Sequence, residues 1–175
     1  MNKMEEAMVQ EEPERYELID GVIYDMTVPP STGHQRVSNR IYAIFANHLR
    51  GKTCEAFHAP FGVWFSEKDD EHVEPDVVVV CDPSKIQDKG CVGTPDLVVE
   101  VLSPVTAAKD RKVKLRRYQR AGVREYWIVD PTHKTVEVYR LEENVFGKPD
   151  VYSEDDTFHV GILDDLLMNL RDVFY

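Results

Sequence analysis

Pro95-Asp96-Leu97-Val98-Val99-Glu100-Val101-Leu102-Ser103-Pro104 is the stretch whose reading decides the fold. Its aliphatic run reads as an interior strand, and Glu100 sits inside it, where an unpaired charge would cost several kcal/mol or more. Ser103-Pro104 marks the end of the strand and the start of a helix, because a serine accepts orphan backbone donors and proline is tolerated in a first helical turn. A second stretch, Val73-Glu74-Pro75-Asp76-Val77-Val78-Val79-Val80, repeats the pattern with Asp76 at its edge. Two acidic oxygen ligands brought together by neighbouring strands suit a hard divalent cation such as Mg²⁺ or Mn²⁺.

Two Pro-Asp steps open aliphatic runs, so geometry must choose the partner of Glu100. Asp96 and Glu100 share a strand, and at roughly 3.3 Å per residue they stand about 13 Å apart along it, too far to share one ion. Asp76 can reach Glu100 if its strand runs alongside, which leaves Asp96 as a residue leading into the strand. The competing reading has Asp76 and Glu100 satisfying lysines, arginines or backbone donors in a core network.

A cation is available in the next segment. Lys109 to Gly122 reads as a helix closed by a glycine. At about 100° per residue, Val113, Lys114, Leu115, Tyr118 and Ala121 fall on one side, and Lys112, Arg116, Gln119 and Arg120 on the other. Lys114 should therefore point toward the sheet, unless it snorkels out past Tyr118. Lys109 to Arg124 holds eight Lys or Arg against one acid, Asp110. Such a run offers a basic face to nucleic acid, although a charged outer face explains most runs of this kind.

The 175 residues, 42% hydrophobic and 30% charged, suit one globular domain with a sizeable core. The net charge of −11 argues against non-specific nucleic-acid binding by the whole surface. Cys54, Cys81 and Cys91 are odd in number and lack Cys-x-x-Cys spacing, so neither a disulfide framework nor a structural zinc site is expected, and a reducing cytoplasm fits best. No signal peptide and no membrane span are apparent.

Residues 1-13 read as a flexible acidic tail. Tyr16 to Ile19 and Val22 to Met26 flank Asp20-Gly21, a strong hairpin signal in which Glu17 is a candidate third carboxylate. Val37, Ile41, Ile44, Phe45 and Leu49 have the spacing of an amphipathic helix ending at Gly51, with His34 near its start as a possible phosphate or site contact. Strands are expected around Phe61 to Phe65, Val77 to Cys81, Leu97 to Leu102 and Tyr126 to Val129, with Asp82 to Thr94 as a turn-rich connection. Thr135 to Leu141 alternates as a half-exposed antiparallel strand should. Leu163, Leu166, Leu167 and Leu170 predict a short closing helix. The order gives a mixed α/β fold, a central sheet flanked by helices.

Tyr16-Glu17-Leu18-Ile19-Asp20-Gly21, Pro75-Asp76-Val77-Val78-Val79, the stretch 95–104, and Asp110 through Tyr118 to Asp130-Pro131 occur in an order that resembles the Uma-type restriction endonuclease family, over roughly residues 15-141. The resemblance implies the restriction-endonuclease-like fold of the PD-(D/E)XK nuclease superfamily over residues 14-175, with metal-dependent phosphodiester hydrolysis as its chemistry. On this resemblance Asp76 matches the superfamily's metal-binding aspartate and Glu100 the acid of its Glu-x-Lys element. Leu102 stands where that element has lysine, so Lys114 is the candidate migrated lysine. Asp110, Lys114 and Tyr118 match the family's spacing in the helix.

The expectation is thus a Mg²⁺- or Mn²⁺-dependent endonuclease acting on DNA, with Asp76, Glu100 and the Val101 carbonyl around the ion and Lys114 as catalytic cation. The substrate would approach over the basic helix and the first helix, with His34 a peripheral contact. Glu17, His34, Asp110 and Tyr118 are accessory candidates, and a homodimer is expected because duplex cleavage commonly uses two symmetry-related sites. The alternative is a nuclease-fold module that binds nucleic acid or protein without useful turnover, and RNA or a smaller phosphoester is a further possible substrate.

Overall fold

The computed structural model describes residues 14–68 and 70–175; the expected acidic tail, residues 1–13, lies outside them. The chain opens with the hairpin β1 (Tyr16–Ile19) and β2 (Val22–Asp25), paired antiparallel. Asp20 and Gly21 turn it with φ of 51° and 75°, the left-handed region that an Asp-Gly pair tolerates. Helix α1 (Thr32–His48) follows, capped by Ser31, whose side chain accepts the His34 N–H. It buries Val37, Ile41 and Phe45.

β3 (Glu55–His58), β4 (Gly62–Trp64), β5 (His72–Val73) and β6 (Val77–Val80) lead to a segment read from sequence only as a connection. That segment, 82–94, contains a short 3₁₀ turn (Pro83–Lys85) and a second hairpin, β7 (Ile86–Gln87) with β8 (Gly90–Val92). The close approach of the β4 backbone explains the hairpin's glycine: a Cβ on Gly90 would meet the Gly62 carbonyl at 2.2 Å, and Gly90 has φ of 136°. β9 (Leu97–Val101) is followed by a helical segment in three parts: α2 (Ala107–Lys109), a π turn (Asp110–Lys114) and α3 (Leu115–Ala121), closed by Gly122 at φ 85°.

β10 (Glu125–Asp130) and β11 (Thr135–Glu142) come next, then β12 (Val145–Phe146), β13 (Asp150–Ser153), β14 (Thr157–His159), β15 (Leu167–Asn169) and α4 (Arg171–Phe174). The closing helix expected over the four leucines is corrected. Leu167 begins strand β15 and is 54% exposed, Leu163 and Leu166 are buried in the turn before it, and the terminal helix starts only at Arg171. Three of the leucines fill the core from a turn and a strand edge, which helical spacing mimics over so short a span.

A seven-stranded sheet, ordered β12-β11-β10-β9-β6-β3 with β13 also on β11, forms the centre. β9 and β10 are parallel and the remaining pairs antiparallel, joined by the right length of helical crossover between them. One face, with Val77, Val79, Val99, Val101 and Trp127, packs on α1 and the C-terminal segment. The other, with Val78, Val80, Val98, Tyr126 and Ile128, packs on Tyr118 of α3 and on Ile19, Val63 and Val73 of the six-stranded sheet β2-β1-β5-β4-β8-β7.

Cys54 and Cys81 form a disulfide. The expectation of no disulfide is corrected: the antiparallel β3–β6 pairing sets Glu55 opposite Val80, so the cysteines just outside those residues meet, 27 positions apart in sequence. Cys91 is buried and free.

Candidate active site

β6 lies antiparallel to β9 with Val77 opposite Val99, and the same register carried one step past the start of β6 brings Asp76 toward Glu100. Side chains alternate across a sheet, so Asp76, Val78 and Val80 on one strand and Val98, Glu100 and Leu102 on the other turn toward the face covered by the helical segment 107–121. Asp76 is anchored there by the Val101 N–H, which donates to its Oδ2 at 2.7 Å. Asp96 stands apart, accepting the Cys81 N–H at 2.8 Å and pairing with Arg124 at 3.4 Å.

Lys114 is 2% exposed, and its ammonium lies 2.7 Å from both Glu100 Oε1 and Glu17 Oε1, with Asp110 Oδ1 at 3.9 Å. Asp76 is not within ion-pair distance of it. The inward direction expected from the helical wheel is therefore present, and snorkelling is not. Tyr118, one turn further, donates its hydroxyl to the same Glu100 Oε1 at 2.7 Å. Glu17 is fully buried; Lys109 holds its Oε2 at 2.7 Å and the Glu74 N–H donates to its Oε1 at 3.0 Å. His34 Nε2 is 3.2 Å from Asp76 Oδ2, and its Nδ1 is buried with no hydrogen-bond partner among the described residues.

Lys114 acts differently on its two close carboxylates. Burial pushes the Glu100 carboxyl up, Lys114 offsets that only in part, and the charges of Asp110, Asp76 and Glu17 add to it, leaving Glu100 at about 8. Glu17 is also desolvated, but two ammoniums, Lys114 and Lys109, outweigh burial and hold it below the ordinary range. Asp110 is raised, chiefly by burial, with Lys114 partly opposing. Lys114 is kept charged: burial disfavours its ammonium, and Glu100, Glu17 and Asp110 together overcome that. Burial likewise lowers His34, and the bond to Asp76 more than restores it.

Asp76, Glu100, Lys109, Asp110, Lys114 and His34 line a pocket of about 410 Å³ that also includes Ser31, Gln35 and Ser38 of the α1 end, Met26, Val28, Pro29 and Pro30, and Ser103 to Thr106. Lys109 was not singled out from sequence; its only advance signal was its place in the basic run. That run is largely neutralised within the fold. Lys109 pairs with Glu17, Arg111 with Glu137, Arg117 with Glu71, Arg120 with Asp20 and Arg124 with Asp96. Arg117, absent from the wheel, is buried over Phe65, its guanidinium carbon 4.0 Å from the ring centre.

The donor set suits a divalent cation. Among the described residues the hydrogen bonds and ion pairs to Glu100 fall on Oε1 and those to Asp76 on Oδ2, so the second oxygen of each could take another ligand. The elevated Glu100 carboxyl reflects burial first, with the nearby charges of Asp110, Asp76 and Glu17 adding to it. Among the described residues no three His, Cys, Asp or Glu side chains are grouped to hold an ion by themselves. A two-carboxylate site completed by a backbone carbonyl and waters is the arrangement Mg²⁺ accepts.

A mixed sheet carrying paired acids at neighbouring strand edges, with helices against it, is a restriction-endonuclease-like core. The chain belongs to the Uma2 family, described as "Putative restriction endonuclease", whose model matches residues 2–169. It is 34% identical over 132 residues to the "Uncharacterized protein slr1290" of Synechocystis, covering 75% of this chain and 68% of that protein. Its fold is similar to the crystal structure of a "putative nuclease belonging to DUF820" from Anabaena variabilis, with a TM-score of 0.72 and 22% identity over 91% of this chain and 89% of that one. Among the described residues no helix is long and apolar enough to cross a membrane.

Proposed function

We propose that this protein is a metal-dependent endonuclease that hydrolyses phosphodiester bonds, with DNA as its principal substrate. Asp76, Glu100 and the Val101 carbonyl would hold Mg²⁺ or Mn²⁺. Once bound, the ion supplies Lewis-acid polarisation of the phosphate and a more acidic water. The observation that carries the reading is the Lys114 ammonium on Glu100, beside Asp76, at the floor of the pocket.

The chain's own groups divide the remaining work. The Val101 N–H fixes the rotamer of Asp76, and Lys114 and Tyr118 fix that of Glu100. Lys114 also places a preorganised positive charge where phosphate oxygens gain negative charge, a type of contact worth a few kcal/mol in a dry site. Glu17 and Lys109 hold Lys114 from behind, and His34 buttresses Asp76.

Cleavage of DNA and RNA substrates with Mg²⁺, Mn²⁺ or EDTA tests this. Metal-dependent products lost in Asp76→Asn are expected; full activity in EDTA or in that variant overturns the site. A second reading, a nuclease-fold binding module without turnover, is favoured by the double engagement of Lys114 with Glu17 and Glu100, which suits a structural ion pair equally well. That reading predicts nucleic-acid binding indifferent to Asp76→Asn and no products with any metal.

A further inference from the structure

We propose that the pocket receives a single unpaired nucleic-acid strand, or a segment unpaired from a duplex, and does not act on a continuous double helix. The inference rests on the nuclease reading above and narrows its substrate.

Depth is the first observation. The side chains of Glu100 and Lys114 are 5% and 2% exposed and that of Asp76 18%, so a phosphate must descend to them. The enclosing volume, about 410 Å³, is that of a site for one small-molecule-sized group. A stiff duplex carries its phosphates on an outer ridge, whereas a flexible strand can lower one nucleotide at a time.

Charge is the second. Of the pocket's Lys and Arg, Arg15 is paired with Glu74, Lys109 with Glu17, and Lys114 with Glu17 and Glu100. None is free to neutralise the backbone of a duplex, which carries one charge per roughly 1.7 Å of axis. The residues of the basic helix that have no ion-pair partner among the described residues, Lys112 and Arg116, do not line the pocket.

The rim is the third. Two loops at the pocket, between β2 and α1 and between β9 and α2, present Met26, Val28, Pro29 and Pro30, and Pro104 and Val105. Val28 is 79% and Val105 85% exposed, the most exposed valines in the described residues. Apolar tips flanking an acidic floor match the base faces that an unpaired strand exposes and a duplex stacks away.

Fluorescence anisotropy in EDTA, with labelled oligothymidine and a blunt duplex of equal length, reads the preference without any cleavage. The single strand is expected to bind about tenfold more tightly, with a shallow salt dependence. Val28→Asp combined with Val105→Asp should remove most of that advantage, and because both positions are exposed the fold is not at risk. Equal or tighter duplex binding, binding of neither, or indifference to the double substitution overturns the proposal. The same probes are then incubated with Mn²⁺. Cleavage of the duplex at a rate equal to the single strand overturns the strand preference while leaving the nuclease reading intact; absence of any cleavage removes the nuclease reading, and the EDTA measurements still decide the strand preference.

Discussion

Lys114 Nζ and Glu100 Oε1 are 2.7 Å apart, buried, and separated by fourteen residues of sequence. The π turn over Asp110–Lys114 precedes the α-helical turn that carries Tyr118, so that Lys114 and Tyr118 both end on one carboxylate oxygen. Asp110 lies in the same turn, and Tyr126 from the sheet donates to its carbonyl at 3.1 Å, which ties the irregular turn to β10. The helix therefore delivers one cation and one hydroxyl to a strand that could not have held its own charge.

Removing that cation should be costly. Lys114→Ala leaves Glu17 and Glu100 facing each other with one fewer ammonium, and loss of one partner from a buried pair costs about 3–5 kcal/mol. The denaturation midpoint is expected to fall accordingly, and Glu17→Gln in the same chain should recover part of the loss. A double variant no more stable than Lys114→Ala alone would show that Glu17 is not a partner in the pair. Turnover of the single variant, measured where it remains folded, should drop by a factor on the order of hundreds.

Asp76 separates metal binding from folding. Asparagine can still accept the Val101 N–H, so Asp76→Asn should keep its thermal midpoint within a few degrees while losing an anionic ligand. Wild-type protein titrated with Mn²⁺ is expected to gain thermal stability by mass action. The variant is expected to show little of that gain and cleavage reduced by about a hundredfold or more. An undiminished Mn²⁺ shift in the variant would remove Asp76 from the ligand set.

The sequence made the sheet and its two acids legible because β9 and β6 are short aliphatic runs, with Glu100 inside the first and Asp76 immediately before the second. The partner choice of Asp76 over Asp96 followed from strand rise alone, and β6 does run beside β9, with Val77 opposite Val99. Lys114 was legible through its place in the helical wheel, even though a π turn distorts that wheel locally. The buried role of Glu17 was weaker in sequence, since alternation on a hairpin says nothing of what covers it. Lys109 and the Cys54–Cys81 bridge were not legible: each depends on a tertiary pairing of distant segments, 92 and 27 residues apart. The leucines at 163–170 failed for a different reason, because core-filling turns can copy a helical period over two turns.

A pH effect outside the site is expected at Glu125. Its Oε1 accepts from the Trp127 indole at 2.7 Å and its Oε2 from the Ile162 N–H at 3.1 Å. Burial raises its carboxyl despite those bonds and Arg140. A carboxyl raised on folding binds its proton more tightly in the native state, so its contribution is greatest below the unfolded value of 4.5 and declines as pH rises through the higher folded value. Glu125→Gln also leaves one buried donor without an acceptor, a loss of about 1–3 kcal/mol. Urea denaturation should show the wild-type advantage over the variant growing from pH 7 toward pH 4. A constant difference across that range would contradict the raised carboxyl.

The basic helix supplies the last expectation, and here the geometry reverses what the sequence suggested. A run of eight cations invited substrate to approach over the outer face of the helix, yet five of those side chains are paired at the fold's surface or interior with acids from other segments, and Lys114 is buried. Lys112 and Arg116 stay exposed and do not line the pocket. Exposed charges outside a site act through solvent, where salt at physiological strength screens them over about 8 Å. Lys112→Ala and Arg116→Ala, alone or together, should therefore change cleavage at 150 mM salt by less than about twofold, with a larger effect only near 10 mM, where screening relaxes to about 30 Å. Lys109→Ala is the contrast: it removes an ammonium that lines the pocket and half of the support of Glu17, so its loss of rate should persist at both salt concentrations. If instead the outer-face pair lowers cleavage at 150 mM as much as Lys109→Ala does, nucleic acid crosses the helix after all, and the pocket alone does not define the binding surface.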